Sequence, residues 1–364
     1  MKVLHVHSGN MWGGVETLLL TLARNRARAP AMEMEVALCF DSRLRRELEG
    51  AGVRVHLLGE VRLSRPWTAW RARRRLASLL RAGRFEVALL HNPWALAALA
   101  PAAGRAGARS AVWLHGPPDA AQRIDRLAAR HDLDLVIANS EFTARAARSL
   151  FRGVTCEVCL PPVEAPREGE QLELSAPEIP AGARVLLMAS RFEPLKGHEV
   201  LVRALDILNE RTDWTCWLAG APQTAAEEAY ATRVQQQRDR LGLRERVHFL
   251  GFRPDVPGLL RRAYALVQPN TRGEAFGLTY IEAMDRGVPV VTSRLGGAVE
   301  VVDETCGVLV SPGASTELAS ALSNLLDDPA HAARLGAAGP ARARALCDPG
   351  RQIARLGQLL GARG

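Results

Sequence analysis

Residues 268–300 read QPNTRGEAFGLTYIEAMDRGVPVVTSRLGGAVE. The short apolar run at 264–268 ends at Pro269, the mark of a buried strand and its exit. A polar loop with glycines follows at 270–277. Leu278, Ile281, Ala283 and Met284 then fall at helical spacing, and Gly287 stops the helix. Residues 288–292 form the next strand. Strand, loop, helix, strand is half of a parallel α/β sheet.

The chemistry of this unit sits in its loop. Ala275, Phe276, Gly277 and Leu278 offer backbone N–H groups at a helix start, where donors and the helix dipole attract phosphate. Gly277 lets an anion approach the backbone. A carboxylate accepts two hydroxyl hydrogen bonds at once, so Glu274 and Glu282 suit a ribose diol or a sugar. Taken singly, each is equally a solvated charge that favours the dipole.

The pattern as a whole is more specific. Glu274 and Glu282 are followed by Ala-Met-x-x-Gly-x-Pro-Val-Val and then by Gly296-Gly297-x-x-Glu300. This resembles the C-terminal motif of the GT4 family of retaining glycosyltransferases. Upstream, a strand at 184–188 leads into Ala189-Ser190-Arg191-Phe192-Glu193-Pro194-Leu195-Lys196-Gly197. That segment is similar to the family's Gly-Arg-(Leu/Phe)-x-x-x-Lys-Gly, with Ala-Ser where Gly often stands. Two fixed cations lower the barrier when a nucleoside diphosphate departs with its charge. Arg grips two phosphate oxygens, and Lys acts as a point charge. Lys2 and Lys196 are the only lysines in the chain.

The resemblance implies a GT-B fold: α/β, with two Rossmann-like domains whose parallel sheets face each other across a cleft. It implies retention of anomeric configuration and transfer from a nucleoside diphosphate sugar, UDP-linked sugars being favoured. Arg191, Lys196 and the backbone of Phe276, Gly277 and Leu278 would stabilise the diphosphate. Glu282 would hold the ribose, Glu274 the donor sugar, and Arg253 the base or a phosphate. Asn270 stands where Ser is common, which touches donor contacts rather than the fold. No cofactor or metal is expected, because the cations and the helix terminus neutralise the leaving group.

The N-terminal half opens with a strand at 3–7, a loop carrying Gly9, Gly13 and Gly14, and a helix at 17–28. This is a Rossmann-like start. It lacks the G-x-G-x-x-G spacing, so a dinucleotide fingerprint is not supported. By the resemblance, Gly13 and Gly14 lie near the phosphates and acceptor. Glu16 reads as an acceptor contact or a first-turn charge. His115 ends a strand at 110–115, at the edge where α/β sheets bind ligands. The resemblance places it near the transferred sugar, against the alternative of a structural turn histidine. His91, at another strand end, is an acceptor candidate. Asp132-x-Asp134 precedes its strand and reads as a loop charge pair, not a metal motif.

Helices are expected at 95–104 and 143–151, and the alternation continues to the C-terminus. The domains expected are 1–165 for the acceptor and 166–346 for the nucleotide sugar, joined by a polar linker at 164–180. A final helix within 347–364 would cross back to the first domain, as is common in the resembling fold.

The segment 62–84 differs from its surroundings. It carries eight arginines and no acid, with Trp67 and Trp70 interleaved. It reads either as a helix lying on an anionic membrane or as a surface helix whose tryptophans pack on the sheet. A nucleic-acid partner is not expected, since no recognised module appears. The net charge is +8, which could attract anionic surfaces or substrates.

The scattered cysteines need no disulfide framework, no apolar run is long enough to span a bilayer, and no signal peptide is evident. A cytoplasmic enzyme is therefore expected, peripheral on the inner membrane face if the basic segment touches lipid. The acceptor is a saccharide, a lipid-linked saccharide or a small molecule. The competing readings are a GT-B phosphorylase or epimerase, or a non-catalytic nucleotide-sugar-binding member of a membrane assembly.

Overall fold

A computed structural model describes residues 1–164 and 176–361. By internal contacts the chain forms two units, Met1–Glu164 with Cys347–Gly364, and Ala165–Leu346. Of the expected linker, residues 165–175 lie outside the described residues.

The strands are β1 (Lys2–His7), β2 (Glu33–Leu38), β3 (Val55–Leu57), β4 (Val87–His91), β5 (Arg109–Leu114), β6 (Leu135–Ala138) and β7 (Cys156–Val158) in the first unit. The second unit holds β8 (Arg184–Ala189), β9 (Trp214–Ala219), β10 (Val247–Gly251), β11 (Ala263–Gln268), β12 (Val290–Ser293) and β13 (Gly307–Val310). The sheet orders are β3-β2-β1-β4-β5-β6-β7 and β10-β9-β8-β11-β12-β13. Every recorded pairing is parallel. Both units are therefore Rossmann-like, and each reverses its strand order once, at β1/β4 and at β8/β11.

Near-continuous burial of these strands follows from helices on both faces. Side chains alternate along a strand, so each residue's parity chooses its face. In the first unit Leu4, Val6, Ala88 and Leu90 pack with Ala72, Leu76 and Leu96. Val3, Val87, Leu89 and Trp113 pack on the other face with Leu18, Leu19, Leu356 and Leu360. The second unit has its own core around Leu186, Met188, Trp214, Val267 and Leu322. Each fully buried leucine of this kind contributes about 2 kcal/mol over leaving it exposed.

Several local readings change. The helix expected at 95–104 is two helices, Pro93–Leu99 and Pro101–Ala106. Pro101 lacks an N–H and starts a new helix instead of continuing the old one. Helix Arg123–Ala128 and the short helix Ala298–Val301 were not anticipated. The basic segment forms helix Pro66–Ala82, with Ala69, Ala72, Leu76 and Leu80 buried. Its tryptophans do not pack on the sheet: Trp67 is 56% exposed and Trp70 51%. No described helix is long and apolar enough to cross a membrane.

Candidate active site

Where strand order reverses, neighbouring connections leave on opposite sides and a crevice opens at the carboxyl edge. In the second unit this is the edge of β8 and β11. The loop after β8 bears Arg191 and ends in the turn Pro194–Lys196, followed by Gly197 at φ +82°. The loop after β11 holds this turn in place. Thr271 N donates to Leu195 O at 2.8 Å, and Thr271 Oγ1 to Pro194 O at 3.2 Å.

That arrangement sets Lys196 Nζ 2.5 Å from Glu274 Oε2. Gln268 Nε2 and Asn270 Nδ2 donate to the same oxygen at 3.2 and 3.4 Å, and Ala275 N donates to Oε1 at 3.2 Å. Burial pushes the Glu274 carboxyl up, but Lys196 and these donors outweigh it and hold it below the ordinary range. Glu274 is thus a half-buried, fully engaged carboxylate, not a solvated helix-start charge. Tyr280 OH supports the donors from below, accepting from Gln268 Nε2 at 3.0 Å and Asn270 Nδ2 at 2.8 Å.

Arg191 pairs with Glu227 and, at 2.9 Å, with Glu193. Its Nε is buried without a partner. Glu227 opens helix Ala225–Arg240 behind the cap Thr224 and also accepts from Gln223 N at 2.8 Å. Burial pushes its carboxyl up, and Arg191 and Gln223 bring it below the ordinary range.

Helix Leu278–Asp285 follows the loop whose Glu274 pairs with Lys196. Phe276 buries its ring, and Gly277 sits at φ +92° with the Tyr280 ring filling the space of a Cβ. Among the described residues the N–H groups of Phe276, Gly277 and Leu278 have no recorded partner. Glu282, half-buried one turn into the helix, has a carboxyl that burial pushes up to about 7. It too is not a freely solvated charge. Arg253 lies apart from Lys196 in its bonding: it grips Asp255 with two nitrogens, Nε to Oδ1 at 2.6 Å.

The first unit has a second polar cluster, at the β1/β4 edge. Gly13 caps helix Gly14–Arg24, with extended backbone that any residue adopts. Glu16 in the first turn is buried and lies 2.7 Å from His7 Nε2. It is not a solvated first-turn charge. His91 is fully buried between two other histidines, 3.0 Å from His5 Nδ1 and 2.9 Å from His115 Nε2. His115 is half-buried, and its backbone carbonyl accepts from Asn139 Nδ2 at 3.2 Å. Among the described residues no group of three or more His, Cys, Asp or Glu is placed to hold a metal ion.

Comparison with known proteins accords with this two-unit arrangement. Residues 12–164 match Glycosyltransferase Family 4, and residues 171–342 match the glycosyl transferases group 1 family. The lipopolysaccharide core biosynthesis glycosyltransferase LpsD of Rhizobium meliloti is 30% identical over 353 residues, 93% of this chain and 92% of its own. The chain belongs to glycosyltransferase family 4. A second relative of this glycosyltransferase is the GDP-mannose-dependent alpha-(1-6)-phosphatidylinositol monomannoside mannosyltransferase of Mycolicibacterium smegmatis. It is 33% identical over 67% of this chain and 68% of its own. Among solved structures, Anabaena Alr3699/HepE in complex with UDP-glucose superposes with a TM-score of 0.84, at 25% identity and 99% coverage of both chains. The GT-B fold of this glycosyltransferase is thus shared over its whole length.

Sequence reasoning on the glycosyltransferase missed Glu227, Gln268, Tyr280 and His5. A capping-box signal, Thr224-x-x-Glu227, was available for the first. The second stands as a polar residue closing an apolar strand. No local pattern marks Tyr280, whose partners come from a loop and two strands. His5 and His7 share a strand face by their spacing, but only the fold shows what lies beside them.

Proposed function

We propose that this glycosyltransferase moves a sugar from a nucleoside diphosphate sugar to a hydroxyl acceptor, with retention and without calling on a metal ion. One observation carries the reading: Lys196, Arg191 and an open helix N-terminus converge on the β8/β11 edge. In the ligand-free chain Glu274 and Glu227 neutralise the two cations. A diphosphate brings its own charge and takes over that role, aided by the free N–H groups of Phe276, Gly277 and Leu278. Positive charge fixed before the bond breaks needs no reorganisation as the leaving group forms.

Glu282 holds the ribose hydroxyls in this reading, and Glu274 orients the donor sugar. Arg253, already committed to Asp255, shapes the turn against the base. Gly13, Gly14 and the His115 cluster serve the saccharide side. HepE binds UDP-glucose and the mycobacterial relative depends on GDP-mannose, so uridine and guanosine are the bases to compare.

Thermal shift against UDP, GDP and their sugars tests the donor assignment, since a ligand of the native state raises the melting temperature by mass action. One diphosphate is expected to stand out, and Glu282→Ala to weaken its binding more than tenfold. A ribose diol donates best to an ionised carboxylate, and Glu282 ionises only near pH 7. Affinity for the nucleotide sugar, whose capped diphosphate does not titrate in this range, should therefore fall as pH drops from 8 to 6, and lose that dependence in Glu282→Gln. Flat responses to every nucleotide overturn the donor reading.

The acceptor in this reading is a saccharide carried on a lipid, in keeping with the glycolipid names of both relatives. The basic helix supplies the surface contact. Trp67 and Trp70 project outward, Arg74 stacks over Trp70 at 4.8 Å, and Arg62, Arg65 and Arg71 are exposed nearby. Arg73 and Arg75 are spent on backbone carbonyls of Ala97, Ala98 and Leu58. Each basic residue at an anionic surface is worth about 1 kcal/mol. Changing Arg62, Arg65, Arg71 and Arg74 to Gln should then cut binding to phosphatidylglycerol vesicles by roughly a thousandfold. Cosedimentation that is unchanged removes the membrane contact.

A further inference from the structure

Four histidines crowd the carboxyl edge of β1, β4 and β5. His5 and His7 share one face of β1. Pairing sets His5 opposite Leu89 and His91 opposite Trp113. By parity, His5, His91 and His115 then lie on the face that packs against helices Gly14–Arg24 and Pro349–Gly361. The rings of His5 and His91 are near-parallel with centroids 5.3 Å apart, and those of His91 and His115 with centroids 5.2 Å apart. His7 meets His91 edge-on at 6.2 Å but spends its Nε2 on Glu16.

The contacts form a chain: His5 Nδ1 to His91 Nε2, then His91 Nδ1 to His115 Nε2. At the inner end, His5 Nε2 is buried with no partner. At the outer end, His115 Nδ1 makes no recorded bond and is not among the buried unpartnered atoms. Burial lowers all three rings, His5 to about 4, His115 to about 3 and His91 well below its usual value. Each is therefore a neutral imidazole at neutral pH, with one proton and two nitrogens.

Proton counting then leaves little freedom. Each ring-to-ring contact needs one proton; two collide and none sets lone pair against lone pair. If His91 carries its proton on Nδ1, His5 must donate from Nδ1, and His115 must accept at Nε2 and hold its proton on Nδ1. If His91 carries it on Nε2, all three are Nε2 tautomers. The first state leaves a bare nitrogen at the buried end of the chain. The second buries an N–H there with no acceptor, the rarer kind of orphan in folded proteins.

We infer that His5 and His91 are positioning residues whose hydrogen-bond chain fixes His115 as the Nδ1–H tautomer, so that His115 offers a donor, not an acceptor, to a hydroxyl oxygen of the bound saccharide. The saccharide rests on the glycosyl-transfer reading above; the tautomer does not. His91 is thereby a link behind the site and not an acceptor contact.

Histidine-labelled full-length protein tests this by long-range proton–nitrogen correlation spectra at pH 7.5. His5, His91 and His115 should all show the proton on Nδ1. In His5→Leu the lock is gone, and His115 should become a mixture of tautomers. His5→Asn, whose amide still donates to His91 Nε2, should restore the single form. Transfer should follow the same order: kcat falls about tenfold in His5→Leu, the loss of one neutral hydrogen bond, while nucleotide affinity stays unchanged. His5→Asn recovers it. Unlike tautomers among the three rings, an Nε2–H form of His115, or an unaltered His115 in His5→Leu overturns the inference. The wild-type spectrum decides the tautomer even if a variant fails to fold. A wild-type protein that transfers nothing, yet shows three Nδ1–H rings, sinks the transfer reading alone.

Discussion

Lys196→Ala loses about 10²- to 10³-fold in turnover, the usual effect of removing one preorganised charge from a transition state, and it stays folded. The structure adds a second effect. Lys196 is the cation that holds the half-buried Glu274 carboxyl below its ordinary range. A depressed carboxyl contributes stability above its unfolded pKa, and loses it as pH falls through the folded value. Without Lys196, burial is opposed only by Gln268, Asn270 and the Ala275 N–H, so the Glu274 carboxyl rises. Its contribution then reverses: present at low pH and lost as pH climbs. The variant should melt about 5 °C below wild type at pH 8, from about 2 kcal/mol lost in a partly buried pair. The gap should close towards pH 4. Melting curves across that range, with turnover at pH 8, check both halves. Wild-type turnover in Lys196→Ala would remove the leaving-group role. A gap that widens on acidification would show that the ion pair is not what stabilises Glu274.

Gly197→Ala has the largest expected effect on stability. A Cβ there would lie 1.9 Å from the carbonyl oxygen of Pro269 and 2.7 Å from its carbon. These are backbone atoms and cannot rotate aside. Gly197 also sits at φ +82°, which costs a side chain about 1 kcal/mol by itself. Relief requires the 269–271 loop to move, and that loop holds the turn bearing Lys196. A loss above about 3 kcal/mol is expected, or roughly 10 °C in the melting of this unit. Gly182→Ala is the control. It shares the left-handed backbone, φ +78°, yet its Cβ would meet nothing within 4 Å. Urea denaturation of both variants separates dihedral strain from collision. Equal losses would mean that the close approach to Pro269 is not what matters.

The sequence made the α/β alternation legible because the buried parallel strands are short, mostly apolar runs separated by stretches of helical spacing. The site was half legible for a related reason. Arg191, Lys196, Glu274 and Glu282 announce themselves as charges bracketed by glycines at strand exits. Their states do not. Whether Glu274 is solvated depends on a lysine 78 positions away, and Arg191 finds Glu227 36 positions on. Arg253 reads from the sequence as a contact to the base or a phosphate, and its pairing with Asp255 appears only in the fold. The exposure of Trp67 and Trp70 turned on which face of an Ala- and Arg-rich helix met the sheet. Small alanines left that choice nearly silent. His91 and Glu16 read as acceptor contacts from a strand end and a helix start; their burial, His91 between two histidines and Glu16 against His7, comes from partners on other elements that the sequence does not bring together.

The helix Pro349–Gly361 belongs to the first unit, although the second intervenes in the chain. Ile353, Leu356, Leu359 and Leu360 complete the apolar layer over Leu18, Leu19 and Leu22, and Arg109 ties down the Leu360 carbonyl at 2.7 Å. The nascent first unit therefore leaves the ribosome with one flank uncovered. At roughly 5–20 residues per second, its missing piece emerges some 10–40 s later. The second unit, continuous in the chain, can close first. Completion of the first unit's core therefore waits on synthesis of the whole of the second.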